Sequence, residues 1–593
     1  MANNIISYKG LKTYLNNSNN LDVRLYTNAT YLYLNSNIAN SFGSCTHINL
    51  NLMDCNFNFK EVVNMNNAFY ECQKLYGIPQ CGENTTDMAN AYYNCFRMVG
   101  VPVCGNNTVY MQGAYGNCNN LVGNPVCSDV TENLAMAYVN CRKLTGSPVC
   151  GSATTNMYEA YANCYNLTGS PVCGNNVVNM ARAYSSCFNL NGSPVVGNNV
   201  VNMAQAYDGC SNIVGNAVVG SSVIDMTNAY HSCKNLNGNA ACTDNVIYMQ
   251  NAYRNCYNLT GNPVCGNNVV NMYSTYENCR KLIGSPACGN NVIDMSGTYR
   301  NCNNLTGSPV CGNSVANMYG TYSNCRNLKG NPVCGNSVVN MRGTYELCPN
   351  LTGNPVCGDN VTNMCTTYWG CWNLTGNPVC GNNVTSMYGT YGNCTNLSGN
   401  PACGTNVTNM QDTYQNCWNL NGNPVCADNV VDMSGAYSNC RKLTGNPVCG
   451  NNVVNMRGAY SNCRNLTGSP VCGDKVTDMR GAYEYCTKLT GNPACGNNVT
   501  YMQDTYYNCP NLYGDMYCNY TGSTSSSAVN MHMCFFNRNN QKRLNIHVAN
   551  GYAYHNWLYN RGTLQTTSKV NWTDMSGGFY NEAINIYVYT DLT

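Results

Sequence analysis

Hydrophobic positions in this chain recur on two rhythms at once. In the stretch from Met433 to Leu443 the apolar residues are Met433, Ala436, Tyr437, Cys440 and Leu443, spaced i, i+3, i+4, i+7, i+10. That spacing predicts one face of a short helix. At longer range the same phase returns every 23 residues: Met65, Met88, Met111, Leu134, Met157, Met180 and onward without an insertion to Met502, twenty coils in all. A period held this strictly predicts units that pack against their neighbours in sequence, not independent globules.

The polar positions punctuate the coil. Asp432 stands where a helix N-cap belongs, and Asn or Asp fills that slot in sixteen of the twenty coils, so a side-chain oxygen is expected on an otherwise orphan backbone N–H. Gly445 follows the apolar run, with Gly in the same slot of every coil, where a positive φ would end a helix. Pro447 forbids continuation. Val448 and Cys449 then read as a minimal extended segment, a strand only if paired with the same segment of adjacent coils. Gly450, Asn451 and Asn452 make the turn back, and Val453 re-enters the core. Each coil offers about half a dozen inward apolar groups, worth roughly 1.5–3 kcal/mol apiece when buried. Ordering its backbone costs on the order of 1–2 kcal/mol per residue. A lone coil does not fold; stacked coils do.

The ends break the pattern. Residues 1–60 contain alternating stretches such as Thr46–Leu52 and predict a β-rich N-terminal cap or attachment module. The array occupies 61–518. Residues 519–593 open with a serine-rich break, pass a degenerate coil near Met531–Phe536, and end in the alternating segments RLNIHV and INIYVYT, a β-rich C-terminal module.

Composition narrows the function classes. Charged residues are 9% of 593 and the net charge is +2, against a usual charged fraction of about 25%, so no nucleic-acid partner is expected. No apolar run approaches the roughly 18–20 residues that cross a bilayer, so no membrane insertion is expected. The opening MANNIISYKGLKTYLNNSNN has no apolar stretch of secretory type. The 42 cysteines fall mainly at two phases: one, from Cys72, is filled in all twenty coils; the other, from Cys81, in eighteen, with Val196 and Val219 in the gaps. Disulfides and metal sites are the alternatives, but an exchange of Cys for Val favours reduced thiols packed as small hydrophobes. The tyrosine phase from Tyr92 to Tyr506 predicts core packing with the hydroxyl at an edge. Of five histidines only His231 lies in the array, with no carboxylate and nucleophile at telling spacing, and no phosphate loop, HExxH or GxSxG is present. No catalytic residue, metal or cofactor is expected.

Variation is concentrated at the residue after the first-phase cysteine, an exposed helical position. It holds Phe96, Arg142, Tyr165, Phe188, Tyr257, Arg280, Arg326, Trp372, Trp418, Arg441 and Arg464, and Trp369 precedes Trp372 by three. Aromatic residues with Arg are the composition of binding hot spots. Such a stripe either contacts a partner or covers the edges of its own neighbours.

The strings VVDMSGAYSNCRKL (Val430–Leu443) and AYxNCxNL resemble the BspA-like leucine-rich repeats and the related cysteine- and methionine-bearing repeats of bacterial surface lipoproteins. About three quarters of the chain shares the register. One departure is Gly-Asn-Pro-Val-Cys where the family has a branched aliphatic strand. The resemblance implies a repeat solenoid, a leucine-rich-repeat-like α/β right-handed coil with β-rich terminal caps, and an extended adhesive protein, not an enzyme. The function expected is a virion component of a bacteriophage, a tail fibre or spike that binds a host surface protein or glycan. It would dock other virion proteins through a terminal module and act as a homo-oligomer. A bacterial or protist cell-surface adhesin and an intracellular scaffold are the alternatives.

Overall fold

The computed structural model describes residues 32–44, 52, 57–518, 534–535, 543–548, 578–581 and 586–589. The described array is a repeat solenoid, coil bonded to coil at a 23-residue step. Its contacts divide it into two compact units, one of Met1–Asp294 with Thr298–Asn304 and one of Met295–Gly297 with Leu305–Thr593.

Both units are built the same way. In the first, the backbone N–H groups of Met157, Glu159, Tyr161 and Asn163 donate to Asn179, Ala181, Ala183 and Ser185 of the next coil, at 2.7–3.0 Å. The residues between them bond within the coil: Ala160 to Met157, Ala162 to Glu159, Cys164 to Tyr161. In the second unit Met433, Gly435, Tyr437 and Asn439 donate to Asn455, Arg457, Ala459 and Ser461, while Ala436, Ser438 and Cys440 bond three residues back. The helix expected over Met433–Leu443 is therefore replaced by a chain of turns, and no α-helix occurs among the described residues. The cause lies in the backbone: Gly435 and Asn439 have φ of 62° and 64°. Two left-handed residues four positions apart break the i→i−4 ladder and turn alternate N–H groups toward the neighbouring coil. The inward spacing is unchanged, so Met433, Ala436, Tyr437, Cys440, Leu443 and Val453 are all buried.

Parallel pairing also sits elsewhere than expected. The bridges run through the Asn/Asp slot, Asn156 to Asn179 in the first unit and Asp432 to Asn455 in the second. Val448 is held instead by a side chain: its N–H donates to the Tyr460 hydroxyl at 3.1 Å, and that hydroxyl donates to the Val448 carbonyl at 2.7 Å. The Asn/Asp slot keeps its capping role, since the Asp432 carboxylate accepts the Ser434 N–H at 2.7 Å. Gly445 has φ +80°, the left-handed turn assigned to it.

Two short parallel pairs lie near the start: β1 (Leu32–Tyr33) with β2 (Phe57–Asn58), and β3 (Tyr76–Gly77) with β4 (Arg97–Met98). The coil geometry already holds at 37–44, where Asn37 bridges Asn64 and the Phe42 ring stacks on Phe69 at 5.1 Å. Phe42 lies ahead of residue 61, the expected start of the array, and its 27-residue offset from Phe69 departs from the 23-residue period. Of Thr46–Leu52 only Leu52, a buried turn residue, is described; the rest of that segment lies outside the described residues. In the second unit Phe535 stacks on Tyr506 at 5.5 Å, in the degenerate coil. Strands β5 (Gly514–Cys518), β6 (Leu544–Val548), β7 (Gly578–Asn581) and β8 (Ile586–Tyr589) form a sheet ordered β5–β6–β8–β7, parallel but for the antiparallel β7–β8 pair.

The interior is tiled by side-chain ladders. Rings from Phe69 to Tyr299 in the first unit stack with centroids 5.2–5.6 Å apart. Those from Tyr322 to Tyr506 in the second stack at 5.3–5.7 Å. The cysteines of the coils carry thiols, buried at the first phase and half-buried at the second.

Candidate partner-binding surface

The first-phase cysteine anchors its stretch of backbone. Cys440 Sγ donates to the Tyr414 carbonyl of the preceding coil at 3.1 Å, and Cys164 Sγ to Tyr138 at 2.9 Å. The asparagine before it is left-handed and joins a side-chain ladder, Asn462 to Asn439 at 2.6 Å and Asn439 to Asn416 at 2.9 Å. With these two residues held, the side chain after the cysteine projects outward.

In the first unit this position exposes Phe96, Arg142, Phe188 and Arg280, with Tyr165 and Tyr257 half-buried. Successive coils bring their members together. The Arg142 guanidinium lies 5.5 Å from the Tyr165 ring, which stacks on Phe188 at 5.2 Å; Arg280 lies 5.1 Å from Tyr257. In the second unit Arg326, Trp372, Trp418, Arg441 and Arg464 are exposed. Arg441 sits 5.4 Å from the Trp418 ring, while Arg326 and Arg464 donate to Asn324 and Asn462 beneath them at 2.9 and 2.7 Å. Members of the stripe cover one another, and large apolar faces remain in solvent. Trp372 keeps 55% of its surface and Trp418 46%.

Trp369 is a correction. It does not join the stripe but lies half-buried against Gly389 and Gly392 of the next coil, where an added Cβ would overlap its indole. It belongs to a second variable face, made by the first, second and fifth residues after each coil's methionine. In the first unit that face carries acid–base pairs: Asp208 to His231 at 2.7 Å, Arg254 to Glu277 at 3.0 Å, Arg300 to Glu277 at 3.9 Å. His231 therefore has the carboxylate that a linear reading missed, plus the Ser232 hydroxyl at 3.3 Å. The available signal was the period itself, because Asp208 precedes His231 by 23. An acid, an imidazole and a hydroxyl in line form a charge-relay arrangement, and the Arg254–Glu277 ion pair lies one coil further along the same face.

The thiols lining the interior are chemically quiet. Burial pushes Cys426 and Cys81 up to about 12, with neighbouring thiols adding to the rise, so they remain protonated and poor nucleophiles. No helix among the described residues is long and apolar enough to cross a membrane.

Comparison with known proteins places the repeat. Residues 176–288, 201–313 and 385–493 match the family model described as "Mycoplasma protein of unknown function, DUF285". Among solved structures, a leucine-rich repeat protein from Bacteroides ovatus is 13% identical, with a TM-score of 0.35, covering 61% of this chain and 92% of its own. A leucine rich cell surface protein from Faecalibacterium prausnitzii is also 13% identical, with a TM-score of 0.28, covering 56% and 85%. No curated protein matches.

Proposed function

We propose that this chain is a non-enzymatic adhesive array displayed at a cell surface, whose exposed aromatic and arginine stripe contacts a protein or glycan partner. The observation that carries the reading is the pair Trp372 and Trp418, the bulkiest of the apolar side chains that the described coils leave about half exposed. The Trp418 indole beside Arg441 supplies rigid area and a cation together, the make-up of a hot spot. Contacts repeated from coil to coil sum through effective concentration, so each one need only be weak. The match of the repeat to the Mycoplasma family model, with the resemblance of its coils to surface-protein repeats, supports a cell-surface array. A virion tail fibre, which would use the same stripe, draws no support from the comparisons.

Two measurements test this. Membrane-impermeant biotinylation of intact cells of the source organism should label the chain; its recovery in purified phage particles instead would replace the cell surface with the virion. On an array of host-surface proteins and glycans, Trp372→Ala with Trp418→Ala should weaken binding at least tenfold with the fold intact by circular dichroism. Equal binding by both forms would discard the stripe.

A further inference from the structure

The second variable face of the second unit holds a groove of about 630 Å³ whose lining is polar or charged throughout. Its floor is Gly435, Gly458 and Gly481, one from each of three successive coils, with φ of 62°, 62° and 60°. Elsewhere the same slot carries side chains at a similar backbone angle, as at Asn67, Asn90, Asn228 and Asn251. The backbone therefore does not demand glycine here. Gly458 provides open space, since a Cβ there would meet nothing within 4 Å, while the Asp412 carboxylate leans over Gly435 and Glu484 lies beside Gly481. The floor N–H groups are already used from coil to coil, Gly435 to Arg457, Gly458 to Arg480 and Gly481 to Gln503, at 2.8–2.9 Å. Selectivity falls to the walls.

The walls are charged in a pattern. Asp412 and Asp432 stand toward one end, Glu484 and Asp504 toward the other, with Arg457 between them. Arg480 is already gripped by Asp478, at 2.5 Å in its shorter contact. Burial, and then the second acid of each pair, holds Asp412 and Glu484 above the usual carboxylate range. Four coil steps separate Asp412 from Asp504. At about 4.8 Å a step that is roughly 19 Å, the reach of about six extended residues.

We propose that this groove binds an extended segment of a partner polypeptide that carries a lysine or arginine at each end of about six residues. A cation at each end relieves an acid pair, and a central acceptor meets Arg457. A neutral sugar chain fits less well, because the groove lining offers no aromatic ring as a platform. This goes beyond the adhesive reading above, because it uses a different face and different residues.

The test is fluorescence anisotropy of the full chain with a labelled, end-capped KTTETTK peptide. Saturable binding is expected, declining with added salt. It should weaken at least tenfold when both lysines become glutamine, and likewise in the double variant Asp412→Asn with Glu484→Gln. Gly458→Asn fills the floor with a residue the same slot accepts in four other coils; it should keep its melting temperature and lose the peptide. Trp372→Ala with Trp418→Ala should bind the peptide unchanged, which separates this site from the stripe. No saturable binding, full binding by Gly458→Asn, or a preference for maltohexaose or for Ca²⁺ alone would overturn the proposal.

Discussion

The two cysteine phases look alike in the sequence and differ in the structure. At the first phase the thiol is a donor: Cys440 Sγ reaches the Tyr414 carbonyl, which also accepts the Cys417 N–H. At the second phase the thiol is half-buried and its bond is longer and local: Cys449 Sγ donates to the Gly450 carbonyl of its own turn at 3.6 Å. Valine can replace the second kind and not the first, as Val196 and Val219 already indicate. Cys449→Val should change stability by no more than about 0.5 kcal/mol, whereas Cys440→Val should cost about 1–2 kcal/mol for the lost buried hydrogen bond and the added branch. Urea unfolding of the two variants measures this, and equal midpoints would remove the distinction. The tyrosine hydroxyl was legible only as a group seeking an edge. That it holds both the N–H and the carbonyl of one residue twelve positions earlier, Val448 for Tyr460, depends on how far the coil closes, which residue types do not encode.

At the level of one coil against the next, size is matched across 23 residues. Trp369 lies over Gly389 and Gly392, and the Tyr93 ring lies against Gly113 and Gly116. In both places an aromatic five residues after the methionine is matched, one coil later, by glycine at the second and fifth positions. Gly392→Ala should therefore destabilise the second unit by about 1–3 kcal/mol through overpacking and move Trp369 into solvent. A red-shifted tryptophan emission relative to the parent would show it, and adding Trp369→Ala should recover the loss; unchanged emission and stability would refute the match. Such pairing was visible in the sequence once coils are aligned, but nothing marked Trp369 as a neighbour of those glycines rather than of Trp372. The helix expectation failed for a related reason. Inward spacing of three and four is shared by a helix and by a run of turns with left-handed residues, and only the sign of φ at Asn439 and its equivalents separates them.

Over the whole molecule the thiols become a pH liability. An ordinary thiol titrates near about 8.5. Burial, with neighbouring thiols adding to the rise and backbone hydrogen bonds opposing it, leaves Cys81, Cys127, Cys265, Cys380 and Cys426 at about 12. Between those values the unfolded chain has released protons that the folded chain keeps. Stability is therefore full below about pH 8.5 and falls as pH rises toward 12. The urea midpoint should match at pH 7 and 8 and drop clearly by pH 10; a midpoint that holds or rises over that span would contradict the buried-thiol interior.

The sequence by itself determined the period, the inward face, the glycine that closes each coil and the near-absence of charge, because volume, hydropathy and backbone permissiveness are properties of residues in order along the chain. It also placed the outward stripe, since a position free to vary is one the core does not use. Only the tertiary structure decided which N–H bonds forward to the next coil and which bonds back. It alone made Asp208 a partner of His231, took Trp369 off the stripe, and opened a groove over three glycines. Those outcomes depend on the offset between stacked coils and on the handedness of single residues, and neither has a signature in composition or spacing.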